Sequence, residues 1–301
     1  MPKIAFLFPG QGSQSVGMVR GLAAHPGVRQ LFQRASQDLE FDLFDLSLNG
    51  PEEILSQDLY AQIAVHVMNC AYAEEIHRIH LTPFLAAGFS LGIFSAFVTA
   101  GSLSFEQGLE GVRMAAEKMS EEGRLHQGAM AAIIGLPEGK VQEICREVSR
   151  VFVASVNSSH QVVVSGEEEA VERAMNLGIE RGALLAKRLP IHWPIHTPFM
   201  EGVSRTFAQE IRDWHVCPPR FPVLSYLRAE YLRTPEEIKQ ELSAQFSQPN
   251  DWHKVLLRMA EEGIDTFLEV GPGNVLSQMV RWVNRSARTF SAEEILQRGG
   301  L

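Results

Sequence analysis

Cysteine is scarce in this chain: Cys70, Cys145 and Cys217 are three residues in 301, odd in number and widely spaced. That excludes a disulfide framework and gives no spacing for a zinc cluster, so no metal is expected and a reducing cytoplasm is the expected setting. Long apolar runs are also missing. No segment approaches the roughly 20 residues of a membrane-spanning helix, and MPKIAFLFPGQG at the start reads as a short strand leaving a Pro-Gly turn, not a signal peptide. Positive charge is in the minority, with 27 Lys and Arg against 36 Asp and Glu for a net charge of −9, which disfavours nonspecific nucleic-acid binding. Repeats, low-complexity tracts and flexible linkers are absent. What is left is the ordinary composition of a soluble globular protein, 45% hydrophobic and 21% charged, long enough for one large domain or two.

The first apolar run, Lys3 to Phe8, leads into a loop of Gly, Gln and Ser at residues 10–14. From Leu59 to Ile79 the residues Ile63, Ala64, Val67, Met68 and Ala71 recur at helical spacing. A short apolar stretch, Pro83 to Ala87, then runs directly into Gly88-Phe89-Ser90-Leu91-Gly92. A helix can follow over 91–100, and Ser104-Phe105-Glu106-Gln107 has the capping-box pattern that opens another. Strand, sharp turn and helix form the context in which G-x-S-x-G presents a nucleophilic serine.

The middle of the chain reads differently. Strands are expected at 129–135, 151–156, 161–165 and 183–189, with helices at 137–149 and 167–181. That β-α-β-β-α-β order is the ferredoxin-like unit. The expected fold is therefore α/β: a large α/β-hydrolase-like domain made of residues 1–127 and 197–301, with a small ferredoxin-like domain, 128–196, inserted into it. Asp265 to Val270 is a further short strand, closed by Gly271-Pro272-Gly273 and followed by a helix over 274–283.

Ser90 needs a base, because a serine hydroxyl is a weak nucleophile until a neighbour takes its proton. Of ten histidines, His192 and His196 stand out in the Pro-rich stretch LPIHWPIHTP, where the inserted domain would rejoin the large one. The Gly10-Gln11-Gly12 loop is not a phosphate-binding loop, since no lysine follows at the required spacing.

Several segments, in order, carry a resemblance: Phe8-Pro9-Gly10-Gln11-Gly12-Ser13-Gln14, Gly88-x-Ser90-Leu91-Gly92, residues 128–135 (GAMAAIIG), Asn157-Ser158 before residues 161–166 (QVVVSG), His196-x-x-x-Met200, and Glu269-Val270-Gly271-Pro272-Gly273. Over nearly its whole length the chain resembles the malonyl-CoA:acyl-carrier-protein transacylases and their polyketide-synthase acyltransferase relatives. The resemblance implies that Ser90 is the acylated nucleophile and His196 its general base. It implies an oxyanion hole from the backbone N–H groups of Gln11 and Leu91, and a main-chain carbonyl of Gln245 that orients the histidine in place of a triad aspartate. It also implies acyl-CoA and the phosphopantetheine of an acyl carrier protein as substrates, with no permanently bound cofactor, in fatty acid or polyketide synthesis.

The chain departs from that family around one pocket. Members that handle malonyl groups carry an arginine on the helix after the nucleophile turn, and aligning without a gap puts that position at Ala115. Arg113 is two residues away, a rotation of about 200° along a helix, and is expected to face elsewhere. Lys118, one turn from Ala115, is the cation that could reach a carboxylate instead. Phe89 stands where a histidine is usual, Ile93 where a glutamate is usual, and Ile195 where serine is frequent. Phe89, Ile93, Ala115 and Ile195 together read as an acyl pocket for an uncharged group, acetyl or longer.

Four readings follow from the residues and the resemblance: transfer of a neutral acyl group to a carrier-protein thiol, hydrolysis of stalled acyl-carrier thioesters, malonyl transfer with another carboxylate ligand, and a non-catalytic docking subunit. Carrier proteins are generally acidic, so Arg281, Arg285 and Arg288 are the candidate docking residues.

Overall fold

The computed structural model describes residues 3–37, 39–125 and 127–301. Its strands are Ile4–Phe8 (β1), Leu85–Gly88 (β2), Gly128–Ile134 (β3), Val151–Ser158 (β4), Gln161–Glu167 (β5), Leu185–Arg188 (β6), Val223–Leu224 (β7), Tyr231–Leu232 (β8), Asn250–Asp251 (β9), Thr266–Glu269 (β10) and Arg288–Ser291 (β11). They form two sheets joined by helices, so the molecule is α/β as expected.

The first sheet has the order β11-β10-β1-β2-β7-β8. Its first five strands are parallel and β8 pairs antiparallel with β7. Every residue of β1, β2 and β10 is buried. That is the pattern of parallel strands covered on both faces. The covering includes helix Asp58–Arg78, buried nearly all round, and helices Gly92–Thr99 and Phe105–Leu125. The second of these begins where the capping box was read, with Gln107 N–H donating to Ser104 Oγ and Ser104 N–H to Gln107 Oε1.

The second sheet has the order β6-β3-β5-β4-β9. Its strands alternate with a period of two. Ala129, Ala131 and Ile133 face helices Glu138–Val148 and Glu168–Glu180, packing on Val141, Ile144, Val171 and Ala174. Met130, Ala132 and Val163 point the other way, against Leu189, Ile191 and Ile195. The elements of this run lie within one or two residues of the expected bounds. Its last strand spans Leu185–Arg188 against 183–189, with the Leu184 side chain turned out and 84% exposed. In addition, β9 comes from the segment after residue 197 and pairs parallel with β4, Ser155 against Asn250 and Val156 against Asp251.

Candidate active site

Two glycines decide how Ser90 is presented. Helix Gly92–Thr99 starts directly against the end of β1, so a Cβ on Gly92 would lie 2.0 Å from the Phe8 carbonyl oxygen, and one on Gly88 would lie 2.2 Å from Gly92 C and Ile93 N. Between them Ser90 is held at φ +50°, in the left-handed region that a side chain rarely occupies. The turn is tied by Phe89 N–H to the Phe8 carbonyl and by Gly92 N–H to the Phe89 carbonyl, each 2.9 Å.

His196 is held just as firmly. It is 5% exposed, sits at φ +62°, and donates its backbone N–H to the Phe246 carbonyl at 2.7 Å. Its Nδ1 lies 2.6 Å from the Gln245 carbonyl oxygen. A carbonyl only accepts, so Nδ1 carries the proton and Nε2 keeps its lone pair. Burial lowers the imidazole pKa from 6.5 to about 4, against the upward pull of the Gln245 and Gln248 carbonyls. The ring is a neutral base at ordinary pH. Gln245 is itself fixed, its side chain accepting from Tyr226 Oη at 3.3 Å and donating to the Leu242 carbonyl at 2.9 Å.

The Gly-Gln-Ser loop is held from below by Asn69 Nδ2, which donates to the Pro9 carbonyl at 2.9 Å, and from within by Ser13 Oγ, which donates to the Gly10 carbonyl at 2.8 Å. Among the described residues the backbone N–H groups of Gln11 and Leu91 meet no acceptor in the protein. The Gln11 side chain donates to Asp58 Oδ1 at 2.5 Å, and the other oxygen of that carboxylate accepts from Trp193 Nε1 at 3.1 Å. Asp58 thus ties the loop after β1 to the segment that returns from the second sheet.

Ser90, Leu91, Gln11, His196 and Gln245 all line one cavity of about 180 Å³. Phe89, Ala115 and Ile195 also lie on its wall. Ile93 does not. It is fully buried in the core of the first sheet, because the helix begins at Gly92 and turns the next side chain inward. Sequence proximity to Ser90 was misleading there. His192 is exposed and off the wall; Arg113 and Lys118 are half-buried and also off it. Arg113 pairs with Glu110 at 2.5 Å, and Lys118 with Glu210 at 2.5 Å across to helix Glu201–Glu210. Among the described residues no charged side chain lines the cavity.

Residues 5–298 match the family described as acyl transferase domain. The chain belongs to that family. This acyl transferase is 35% identical over 299 residues to the malonyl CoA-acyl carrier protein transacylase of Bacillus subtilis, covering 98% of this chain and 94% of that one. It is 36% identical over 286 residues to the transacylase of the same name from Escherichia coli K12, covering 93% of each. The malonyl CoA-acyl carrier protein transacylase of Coxiella burnetii superposes on this acyl transferase with a TM-score of 0.93 at 34% identity, over 97% of this chain and 94% of that one. A malonyl-transacylase solved in complex with its type II PKS acyl-carrier protein does so with a TM-score of 0.91 at 34% identity, over 96% and 95%. The protein is an acyltransferase.

Sequence reasoning missed several residues of the wall, Gln62, Met119, Met130, Trp193, Ser155 and Asn250 among them. One signal was available. Asp58, Gln62 and His66 recur every four residues along the first half of helix Asp58–Arg78, where the residues between them are apolar or aromatic. His66 is deep in the core, with Nδ1 2.9 Å from Ser95 Oγ, and burial lowers its pKa to about 3, so it is a neutral structural histidine. No group of His, Cys, Asp and Glu able to hold a metal occurs among the described residues, and no helix there is long and apolar enough to cross a membrane.

Proposed function

We propose that this acyltransferase moves an uncharged acyl group from a CoA thioester, through acyl-Ser90, to the phosphopantetheine thiol of an acyl carrier protein. His196 Nε2 takes the Ser90 hydroxyl proton as Oγ attacks the thioester carbon. The negative charge that develops on the thioester oxygen is met by the N–H groups of Gln11 and Leu91, two fixed donors in a site that excludes water. Collapse breaks the carbon–sulfur bond, and the CoA thiolate leaves with the proton from His196. The carrier thiol then gives its proton to the same nitrogen, attacks the serine ester, and Ser90 recovers its proton.

The observation that carries the choice of acyl group is the uncharged wall. A malonyl carboxylate placed beside Ala115, Met119 and Phe94 would be desolvated with no cation among the described residues of the wall opposite it, since Arg113 and Lys118 are turned to other partners. Leaving one buried charge without its partner costs about 3–5 kcal/mol. At about 1.4 kcal/mol per tenfold, that is a disadvantage of at least about a hundredfold. A neutral acyl chain suffers none of it.

The partner is read from charge and position. Helix Val275–Val283 contributes Met279 to the cavity wall and exposes Val275, Trp282 and Arg281, with Arg285 and Arg288 following it. In a chain of net charge −9 this is a cluster of basic residues on and after a helix that reaches the cavity wall, with Arg288 also paired to Asp265, and it suits an acidic carrier.

The test is intact-protein mass after incubation with acetyl-, butyryl-, benzoyl-, octanoyl- and malonyl-CoA, with Ser90→Ala as control. Adducts from neutral donors with little from malonyl-CoA are expected. A malonyl adduct of equal yield overturns the choice of acyl group. Reversing Arg281 and Arg285 to Glu is expected to raise KM for the carrier protein and leave acylation by CoA thioesters unchanged.

A further inference from the structure

Gln62 is the polar group in the cavity that the chemistry above does not use. It lies on helix Asp58–Arg78, is 2% exposed, and lines the same wall as Ser90 and Ala115. Its Nε2 is fully buried with no hydrogen-bond partner. Such a group is costly to leave unpaired, and buried amides in folded proteins nearly always find a partner.

Among the described residues none is on offer. Asp58, one turn earlier, has its two oxygens on Gln11 and Trp193, and His66, one turn later, is engaged with Ser95. Across the cavity Ser155 Oγ is bonded to Asn157 and Asn250 oxygens at 2.6 and 2.7 Å, and Asn250 Nδ2 donates to the Ala154 carbonyl at 3.3 Å. The same wall carries the apolar side chains of Phe89, Phe94, Met119 and Met130. An unpaired amide in such a wall is a recognition element whose partner arrives with the ligand.

We infer that Gln62 reads an uncharged oxygen on the acyl group, so that the substrate class is a compact oxo- or hydroxyacyl thioester and not a plain alkanoyl one. This rests on the neutral-acyl reading above. A half-turn of the terminal amide exchanges its N–H₂ and its C=O, so the same side chain donates to a keto oxygen or accepts from a hydroxyl. It cannot neutralise a carboxylate, which leaves the preference against malonyl intact. The size follows from the volume: a cavity of about 150 Å³ accommodates benzene, and about 180 Å³ is available here. Four- or five-carbon acyl groups fit with the thioester in place.

The experiment is single-turnover acylation of Ser90 by four donors of matched length, butyryl-, acetoacetyl-, 3-hydroxybutyryl- and malonyl-CoA, on the wild type and on Gln62→Leu. The wild type is expected to take one of the oxygenated neutral donors at least about tenfold faster, in kcat/KM, than butyryl-CoA, because a site built around a hydrogen bond rejects the analogue that lacks it. Gln62→Leu is expected to bring that ratio close to one while its thermal midpoint does not fall, since the variant buries no unpaired amide. Butyryl-CoA reacting as fast as both oxygenated donors in the wild type, or a ratio unchanged by Gln62→Leu, overturns the role of Gln62 and leaves the neutral-acyl reading standing. Malonyl-CoA as the fastest of the four overturns that reading, and this inference with it.

Discussion

The two sheets meet at one cavity and give it different things. The first offers the ends of its strands: β1 runs into the loop that carries Gln11, and β2 into Ser90, so backbone geometry locked by Gly88 and Gly92 fixes where the reacting atoms sit. The second offers a face, from which Met130 and Val163, with Leu189, Ile191 and Ile195 packed beside them, form an apolar lining, joined by the polar side chains of Ser155, Asn157 and Asn250. Gly88 and Gly92 at the ends of the first sheet's strands tolerate no side chain, because backbone atoms are in the way. Positions on the second sheet tolerate many changes of residue, because only volume and polarity are at stake. On the function proposed above, chemistry is set by one half of the molecule and selectivity largely by the other, with helix Phe105–Leu125 adding Ala115 and Met119 to the wall.

The sharpest break in this division comes from the reacting pair. Ser90→Ala is expected to give no acyl adduct with any donor, and His196→Ala to slow acylation by about 10⁴-fold or more; stopped-flow release of CoA with folding checked by circular dichroism measures both. Next in size is Ala115→Arg, which supplies a cation to the wall. It should raise malonyl acylation by about a hundredfold and depress that of neutral donors, the inverse of the unpaired-charge cost. Competition between malonyl- and butyryl-CoA, read by adduct mass, reports the switch. If the ratio stays put, the wall near Ala115 does not see the acyl group.

Smaller effects test the second sheet. Met130→Ala enlarges the lining without touching Ser90 or His196. Octanoyl-CoA should gain about tenfold over butyryl-CoA, with stability reduced by about 2–5 kcal/mol for a fully packed methionine and less where it borders the cavity. A drop in acylation by all donors alike would contradict the division of labour. The smallest effect is in pH. With its pKa lowered to about 4, His196 stays an unprotonated base through mildly acidic conditions, so acylation should be level from pH 8 to 5 and fall with a midpoint near 4. Between pH 6.5 and 4 the unfolded chain binds a proton that the folded chain refuses, so this residue makes stability fall as pH falls through that window. An acid limb near 6.5 would mean a solvated imidazole.

The fold class was legible because its signals are local: an apolar run for β1, helical periodicity from 59 to 79, and the turn signals that divide the strands of the second sheet. The nucleophile turn was legible for the same reason, since its glycines, serine and flanking strand are contiguous. What the sequence could not announce was tertiary. Gln62 is 28 positions before Ser90, on a helix whose pattern reports burial and nothing about what it borders. β9 is two polar residues and carries no strand pattern at all. Gln245 acts through a main-chain carbonyl, which every residue type possesses, so only the resemblance pointed to it. Ile93 failed the other way, being adjacent in sequence and pointed into the core.

That two-residue strand has a mechanical consequence. β9 follows Gln245 by five residues, is bonded to β4 of the second sheet, and begins helix Trp252–Glu261, which Asp251 caps through the Lys254 N–H. The two lobes therefore share a stitched hem beside the histidine, and they cannot swing apart like jaws without tearing the strand that anchors it.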